Sequence, residues 1–253
     1  MILVKTPDQV EQMRLAGELV AQTLDLVAKE ARAGVTTKAL DSIAEEFIRD
    51  HGAEPAFKGY QGYPATLCVS IDDEVVHGIP GERQLQDGQI LSIDVGALRD
   101  GWYGDSARTI PIGEISQEAQ RLLAVTQEAL HQAIAQARAS QYLGDISSAV
   151  QTYAESQGYS VVRDLVGHGI GRRMHEEPQI PNYGEPHTGP RLATGMVLAI
   201  EPMINIGGYK VKFDADKWTV RTTDGSLSAH FEHTIAITPD GPRILTTTSN
   251  GGV

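Results

Sequence analysis

The sequence contains an internal repeat, and this repeat restricts the possible folds more than any other feature. Residues 40–52 carry apolar side chains at helical spacing and end in a glycine, and residues 146–158 show the same pattern. Residues 88–94, GQILSID, correspond in the same way to residues 195–201, GMVLAIE. Such a repeat indicates a duplicated structural unit. We therefore expect two equivalent halves that pack against each other.

Helical spacing extends the repeat to most of the chain. Each half is predicted to begin with two helices, at about residues 7–31, 37–51, 117–139 and 146–158. We interpret residues 1–253 as a single domain whose halves cover about 1–113 and 114–253. Residues 177–195 are rich in proline and glycine and are expected to form a surface loop at the mouth of a cleft, and residues 246–253 a frayed tail.

Residues 90–109 predict a β-hairpin with two carboxyl groups in an apolar setting. Asp100 and Gly101 are a strong signal for a two-residue turn between two strands. With that turn, the alternation of side chains places Asp94 and Asp105 on the same face of the hairpin. Two neighbouring anions repel each other unless one takes up a proton or a cation holds both. The hairpin therefore indicates a cation site.

Composition excludes several classes of partner. The formal net charge is −12, and lysine and arginine form only short clusters, so we expect no DNA binding. The first residues do not resemble a signal peptide, and no apolar run approaches the length of a membrane span. Cys68 is the single cysteine, which excludes an internal disulfide and a cysteine-based zinc site. We expect a cytoplasmic protein.

The repeat supplies further acidic residues at matched places in the second half. With one histidine from a His-Gly-Ile loop, they give a set of five candidate metal ligands: Asp94, Asp105, His168, Glu201 and Glu232. Oxygen-rich ligands with one imidazole suit Mn, Fe(II) or Co, with Zn as a further candidate. Four carboxylates balance the charge of two divalent ions, and two-metal sites of this kind are typical of hydrolases.

The histidines fall into three groups. Those in or beside repeated glycine-rich loops, His77 and His175, are candidates for substrate contact near the metal ligands. Most of the others are expected at the surface or at helix ends, namely His51, His131, His187 and His230. For His233 the sequence does not decide between a place in the site and a place at the surface.

The ordered ligand set resembles that of the methionine aminopeptidases, and the sequence is identified as a type I member of that family. The resemblance covers nearly the whole chain, through KTPDQVEQMRLAG, HGIP, IDVGALRDGWYGDSAR, GHGIGRRMHEEPQIPNYG, LAIEPMI and HFEHTIAIT. It implies a pita-bread fold of the α+β class, in which two pseudo-symmetric halves of helices pack on curved antiparallel sheet. Prolidases and aminopeptidase P share this fold and these ligands, but they usually carry an additional N-terminal domain.

The resemblance also implies a role for each ligand. Asp94 chelates one ion, Asp105 and Glu232 bridge the pair, and His168 and Glu201 complete the sphere of the other ion. Glu201 also serves as the catalytic proton shuttle between the attacking water and the leaving amine. His77 and His175 are catalytic residues that contact the substrate, and His175 stabilises the developing oxyanion.

The same resemblance implies an apolar pocket for the methionine side chain. Its walls map onto Phe57, Tyr60, Tyr63, Cys68, Met174 and Trp218. Phe57 stands where the family commonly has a cysteine, and Met174 where it commonly has an aromatic residue. Both changes keep the wall apolar, so they affect the shape of the pocket rather than the class of side chain it takes.

The resemblance thus implies a metal-dependent aminopeptidase that removes the initiator methionine from proteins and peptides whose second residue is small. Its partners are the N-terminal segments of nascent or newly made proteins, with the ribosome as a further candidate, and the protein is expected to be a monomer. Three alternatives stay open: an aminopeptidase P-like enzyme, a non-catalytic binding module and a dinuclear phosphoesterase. All ligands are present, which disfavours the module, and no basic phosphate clamp accompanies them, which disfavours the phosphoesterase.

Overall fold

The computed structural model describes residues 2–248, and its helices form two pairs, as the repeat predicts. They are α1 (Pro7–Glu30), α2 (Thr37–Asp50), α3 (Gln117–Gln136) and α4 (Leu143–Ser156), with a short 3-10 helix at Tyr60–Gly62. The side chain of Thr6 accepts a hydrogen bond from the backbone of Gln9, whose side chain accepts one from the backbone of Thr6. This capping box fixes the start of α1. The third helix ends before the predicted residue 139.

Fifteen strands complete the described fold. They are β1 (Glu54–Pro55), β2 (Leu67–Ile71), β3 (Glu74–Val76), β4 (Ile90–Arg99), β5 (Trp102–Pro111), β6 (Ser160–Val161), β7 (Val166–Gly169), β8 (Glu176–Pro181), β9 (Val197–Ile200), β10 (Met203–Asn205), β11 (Val211–Phe213), β12 (Val220–Thr222), β13 (Ser228–His230), β14 (His233–Thr238) and β15 (Gly241–Ile244). All described strand pairs are antiparallel, which agrees with the predicted α+β class. No helix within residues 2–248 combines the length and apolar character needed to cross a bilayer.

Two larger sheets meet at the centre of the molecule. In the first half, β4 pairs with β1, β2 and β5, and in the second half the order is β15-β14-β9-β7-β8. The strands β5 and β14 lie side by side, because the hydroxyl of Thr234 donates to the carbonyl of Asp105 and accepts from its N–H. The N–H of Glu232 donates to the carbonyl of Ala107 in the same seam. Backbone contacts thus join the two halves where their acidic strands meet.

Each helix pair covers its own apolar core. Leu19, Leu40 and Ile48 are fully buried in the core under α1 and α2, and Leu122 and Ile146 in the core under α3 and α4. Burial of large aliphatic side chains of this kind contributes about 1.5–3 kcal/mol each. The strands of the seam are therefore held from both sides by packed helices, which makes them a rigid base for a site.

The prediction of a surface loop at residues 177–195 was wrong for its first residues, 177–181. The strand β8 occupies Glu176–Pro181 with alternating buried and exposed residues, and only residues 182–195 lack a helix or a described strand. Proline is tolerated in β8 because the strand lies at the edge of its sheet, where some N–H groups need no partner. In the predicted tail, Thr246 is buried rather than frayed. Residues 249–253 lie outside the described part.

The backbone of α1 at Gly17 lies so close to the backbone at Leu245 that a larger residue does not fit there. A Cβ atom at Gly17 would lie 2.5 Å from the carbonyl oxygen of Leu245. We expect Gly17→Ala to lower the free energy of unfolding by about 1–3 kcal/mol, although alanine favours helix, because the backbone must shift. Chemical denaturation measures this change. The exposed control Lys29→Ala on the same helix should stay within about 0.5 kcal/mol of wild type, and an equally stable Gly17→Ala protein would contradict the expectation.

Candidate metal centre and substrate pocket

The hairpin of β4 and β5 places two carboxyl groups together. Its register confirms the predicted two-residue turn, since Gly96 pairs with Asp105 and Asp94 pairs with Ala107. Asp94 is 9% exposed and Asp105 is 3% exposed, and, beyond the effect of burial, the charge of Asp105 is close enough to raise the pKa of Asp94. The two acids are therefore buried neighbours on one face of the sheet, as the alternation requires.

The second half brings three more predicted ligands to the same place. His168 lies on β7, Glu201 directly follows β9, and Glu232 directly precedes β14. The Nε2 atom of His168 lies 3.6 Å from Oδ2 of Asp105 and 3.8 Å from Oε1 of Glu201. All five predicted ligands face one cavity. The repeat thus gives each half a share of a single site.

Several buried oxygen atoms at this site have no partner among the described residues. They are Oδ1 of Asp94, Oδ1 of Asp105 and Oε1 of Glu232. Buried polar atoms in folded proteins nearly always have a partner, and an unpaired buried carboxylate is costly. Ligand atoms of Asp105, His168 and Glu232 lie within 4.8 Å of one another. The donor set and its unpaired atoms fit divalent cations.

Burial changes the proton affinity of these groups. It raises the pKa of Asp94, Glu201 and Glu232 well above the ordinary value, and the neighbouring carboxylates raise it further. It also raises the pKa of Asp105 to about 7. In contrast, burial lowers the pKa of His168 to about 4, so this imidazole is neutral at pH 7 and free to act as a ligand.

His230 was wrongly predicted to be a surface or helix-end residue. It is 1% exposed, and its Nε2 lies 3.9 Å from Oε2 of Glu201 and 3.9 Å from Oε2 of Glu232. Burial lowers its pKa to about 3. Glu201, His230 and Glu232 also form a second group of ligand atoms within 4.8 Å of one another. The sequence signal for its place in the site was its position two residues before Glu232, because side chains two residues apart in a strand point to the same face of the sheet.

An apolar pocket opens beside the cluster. The cavity measures about 240 Å³, and it is lined by all six predicted wall residues, by His77 and His175, and by Gln61, which sequence reasoning missed. The ring of Tyr63 meets Trp218 edge to face, with centroids 5.1 Å apart. Gly96 lets Phe57 and Met174 pack directly against β4, because a Cβ atom there would lie 2.7 Å from Phe57 and 3.2 Å from Met174. The pocket can therefore take an apolar side chain.

The two substrate-contact candidates flank this pocket. Nδ1 of His175 lies 2.8 Å from the hydroxyl of Tyr60, and its ring centroid lies 4.2 Å from that of His168. His77 adopts a φ of 61°, and burial lowers its pKa to about 4. A positive φ is uncommon outside glycine and is tolerated by few residue types, histidine among them. Its neutral ring can donate and accept one hydrogen bond each.

The raised carboxyl pKa values lead to a prediction about metal binding. We expect binding of Mn²⁺ to the metal-free protein to release protons near neutral pH, because carboxyl groups with a raised pKa must lose protons to bind, whereas His168 is already neutral. Titration calorimetry in two buffers of different ionisation enthalpy measures the release. It should be larger at about pH 6 than at about pH 8, and enthalpies independent of the buffer at both pH values would contradict the expectation.

Comparison with known proteins identifies the family. Residues 11–239 match the family model for metallopeptidase family M24. Methionine aminopeptidase 1 of Bacillus subtilis is 54% identical over 97% of this chain and 99% of its own length. The crystal structure of methionine aminopeptidase from Rickettsia prowazekii has a TM-score of 0.96 and 46% identity, and the match covers 97% of this chain and 100% of that chain.

A more distant comparison concerns the fold alone. The prolidase from Pyrococcus furiosus has a TM-score of 0.78 at 24% identity, and the match covers 98% of this chain and 66% of that chain. The predicted pita-bread architecture is thereby confirmed. With a family model over most of its length and relatives of about half identical sequence, the chain belongs to the methionine aminopeptidases of metallopeptidase family M24.

Proposed function

We propose that this protein is a metal-dependent aminopeptidase that removes the N-terminal methionine from proteins and peptides whose second residue is small. The observation that carries the proposal is that one cavity of about 240 Å³ joins a buried carboxylate and histidine cluster to an apolar wall. The cluster supports hydrolysis, and the pocket supports selection of one apolar side chain. The full-length similarity to methionine aminopeptidases points to the same activity.

Asp94, Asp105, His168, Glu201 and Glu232 would hold the metal, and we propose two divalent ions. Family membership and the ligand group support divalent metal use, and the four carboxylates match the charge of a pair of ions. Mn, Fe(II) and Co suit these oxygen and imidazole donors, with Zn as a further candidate. When bound, such ions lower the pKa of water and polarise a carbonyl group.

Glu201 is proposed as the residue that moves the proton. Its carboxyl group is buried beside Asp94 and Asp105, and both burial and these neighbours raise its pKa. A raised pKa makes the carboxyl group a stronger proton acceptor, so it can take up a proton and later give it back. Glu201 would take the proton of the attacking water and deliver it to the leaving amine nitrogen.

His77 and His175 are proposed to bind the reacting peptide group. When the hydroxyl of Tyr60 donates to Nδ1 of His175, the proton of the neutral ring sits on Nε2. This nitrogen can then donate to the carbonyl oxygen as negative charge develops on it. His77 lines the same cavity, so a second neutral imidazole is available to the substrate.

The methionine side chain is proposed to fill the apolar pocket. Aromatic rings of Phe57, Tyr63 and Trp218 line it, and thioethers make favourable contacts with such rings. Cys68 is buried against this wall. The partners would be N-terminal segments of newly made proteins in the cytoplasm; contact with the ribosome and a monomeric state are further parts of the proposal.

A peptide assay tests the activity. The protein loaded with Mn²⁺, Fe²⁺ or Co²⁺ should release methionine from a Met-Gly peptide much faster than from a Met-Lys peptide, because the second side chain must fit close to the cluster. Release of methionine is measured by chromatography. Release from neither peptide would contradict the proposal. Cleavage of Xaa-Pro peptides instead would indicate an aminopeptidase P-like enzyme, and turnover of a phosphate ester a phosphoesterase.

Replacement of the proton carrier tests the mechanism. We expect Glu201→Gln to lower kcat at least about 100-fold, because an amide cannot carry the proton. The exposed control Glu118→Gln should keep wild-type kinetics. Metal content is measured on both proteins, since Glu201 is also a proposed ligand. A Glu201→Gln protein with full metal content and unchanged kcat would remove this residue from the mechanism.

A further inference from the structure

The N-terminal segment Lys5-Thr6-Pro7 has no part in the mechanism above, yet Lys5 is buried. Its Nζ lies 2.8 Å from Oε2 of Glu176, and the two side chains are 5% and 1% exposed. Lysine and glutamate are almost never fully buried unless they are paired. The ion pair joins residues that are 171 positions apart in the sequence. It ties the N-terminal segment to the first residue of β8, directly after the turn at residues 171–175.

Glu176 uses its other oxygen to close that turn. Oε1 accepts hydrogen bonds from the N–H groups of Arg172, at 2.9 Å, and Arg173, at 3.2 Å. There is no room for a side chain at Gly171, where a Cβ atom would lie 2.6 Å from Oε1 of Glu176 and 2.7 Å from Cε of Lys5. The carboxylate is thus the centre around which residues 171–176 are folded.

Other contacts hold Lys5 and the turn that Glu176 closes. The N–H of Lys5 donates to the carbonyl of Gly195 at 2.7 Å, and the N–H of Tyr103 donates to the carbonyl of Gly171 at 3.0 Å. The guanidinium of Arg172 lies 4.2 Å from the ring centroid of Trp102. The turn is therefore fixed to β5 on one side and to the N-terminal segment on the other.

The residues between these anchors face the pocket. Met174 is 2% exposed and lines the cavity, and His175 lies beside His168 and Tyr60. Neither Lys5 nor Glu176 lines that cavity. A shift of the turn by a fraction of an ångström would move both pocket residues together.

We propose that the Lys5–Glu176 ion pair positions His175 and Met174 for the substrate. The inference rests on the proposed function for its kinetic consequences, but the positioning itself is a structural claim. Lys5 and Glu176 act through the turn and are positioning residues, without contact to the reacting atoms. If the pair only stabilised the fold, its loss would lower the unfolding temperature and leave both the His175 ring and the kinetics unchanged well below that temperature.

The first test is spectroscopic and does not depend on activity. In Lys5→Met, the ring resonances of His175, assigned by their loss in His175→Ala, should shift and broaden, whereas those of the exposed His51 should not. The matched control is Lys38→Met, which removes an exposed pair of the same 2.8 Å length to Glu82. Unchanged His175 resonances in a folded Lys5→Met protein would overturn the proposal.

The second test is kinetic. We expect Lys5→Met to lower kcat/KM for a Met-Gly peptide roughly 10- to 100-fold at unchanged metal content, because a small misplacement of a binding group has effects of this size. His175→Ala should then lower kcat/KM far less in the Lys5→Met background than in wild type. Independent, multiplicative losses would overturn the proposal.

Two further variants keep the tests decisive. If Lys5→Met does not fold, the double variant Lys5→Met/Glu176→Gln leaves no unpaired charge and keeps an oxygen for the two N–H groups of the turn, and the same shift of His175 is expected. Ile48→Val in the distant core of α2 provides a modestly destabilised protein with no change at the turn. If the wild-type protein released no methionine, the proposed function would be refuted. The His175 ring resonances in Lys5→Met would still show whether the ion pair positions His175.

Discussion

Four carboxyl groups buried in one cavity are the constraint on which the rest of the structure depends. Asp94, Asp105, Glu201 and Glu232 face one another, and within residues 2–248 no lysine or arginine forms an ion pair with them. Protein cations therefore do not balance this charge. It has to be met by protons, which the raised pKa values reflect, or by bound cations. A fold that maintains such a cluster must be stabilised elsewhere, and the two helix-covered cores provide that stability.

The seam between the halves explains how so unfavourable a cluster is held in place. Ser106 and Thr234 bind backbone atoms across the seam, next to Asp105 and Glu232. Hydroxyl groups that bridge two strands fix their relative position without adding charge. Each half contributes ligands on strands or directly beside them, and packed helices hold these strands. Such preorganisation is what electrostatic catalysis requires. The duplication thus accounts for both the shape of the site and its rigidity.

Local rules were sufficient to predict part of this arrangement from the sequence. The turn at Asp100 fixed the register of β4 and β5, since a two-residue turn allows only one pairing. The repeat then located the ligands of the second half. The burial of His230 and the edge strand β8 were missed, because a histidine beside a turn and two prolines in a strand are local signals for the surface. Only tertiary packing overrides such signals, and the same holds for the pairing of Lys5 with Glu176.

Burial also determines whether the four carboxyl groups pair with the neighbouring histidines or with a bound cation. It raises the pKa of the four acids and lowers that of His168 and His230, so it neutralises both kinds of group in the same volume. At an exposed site, a protonated His168 would form an ordinary ion pair with Asp105, which lies 3.6 Å away. The two residues would then satisfy each other. Because the buried imidazole stays neutral, this pairing is avoided, and the negative charge that develops on the acids is left to be met by a divalent cation, for which the same imidazole is a ligand.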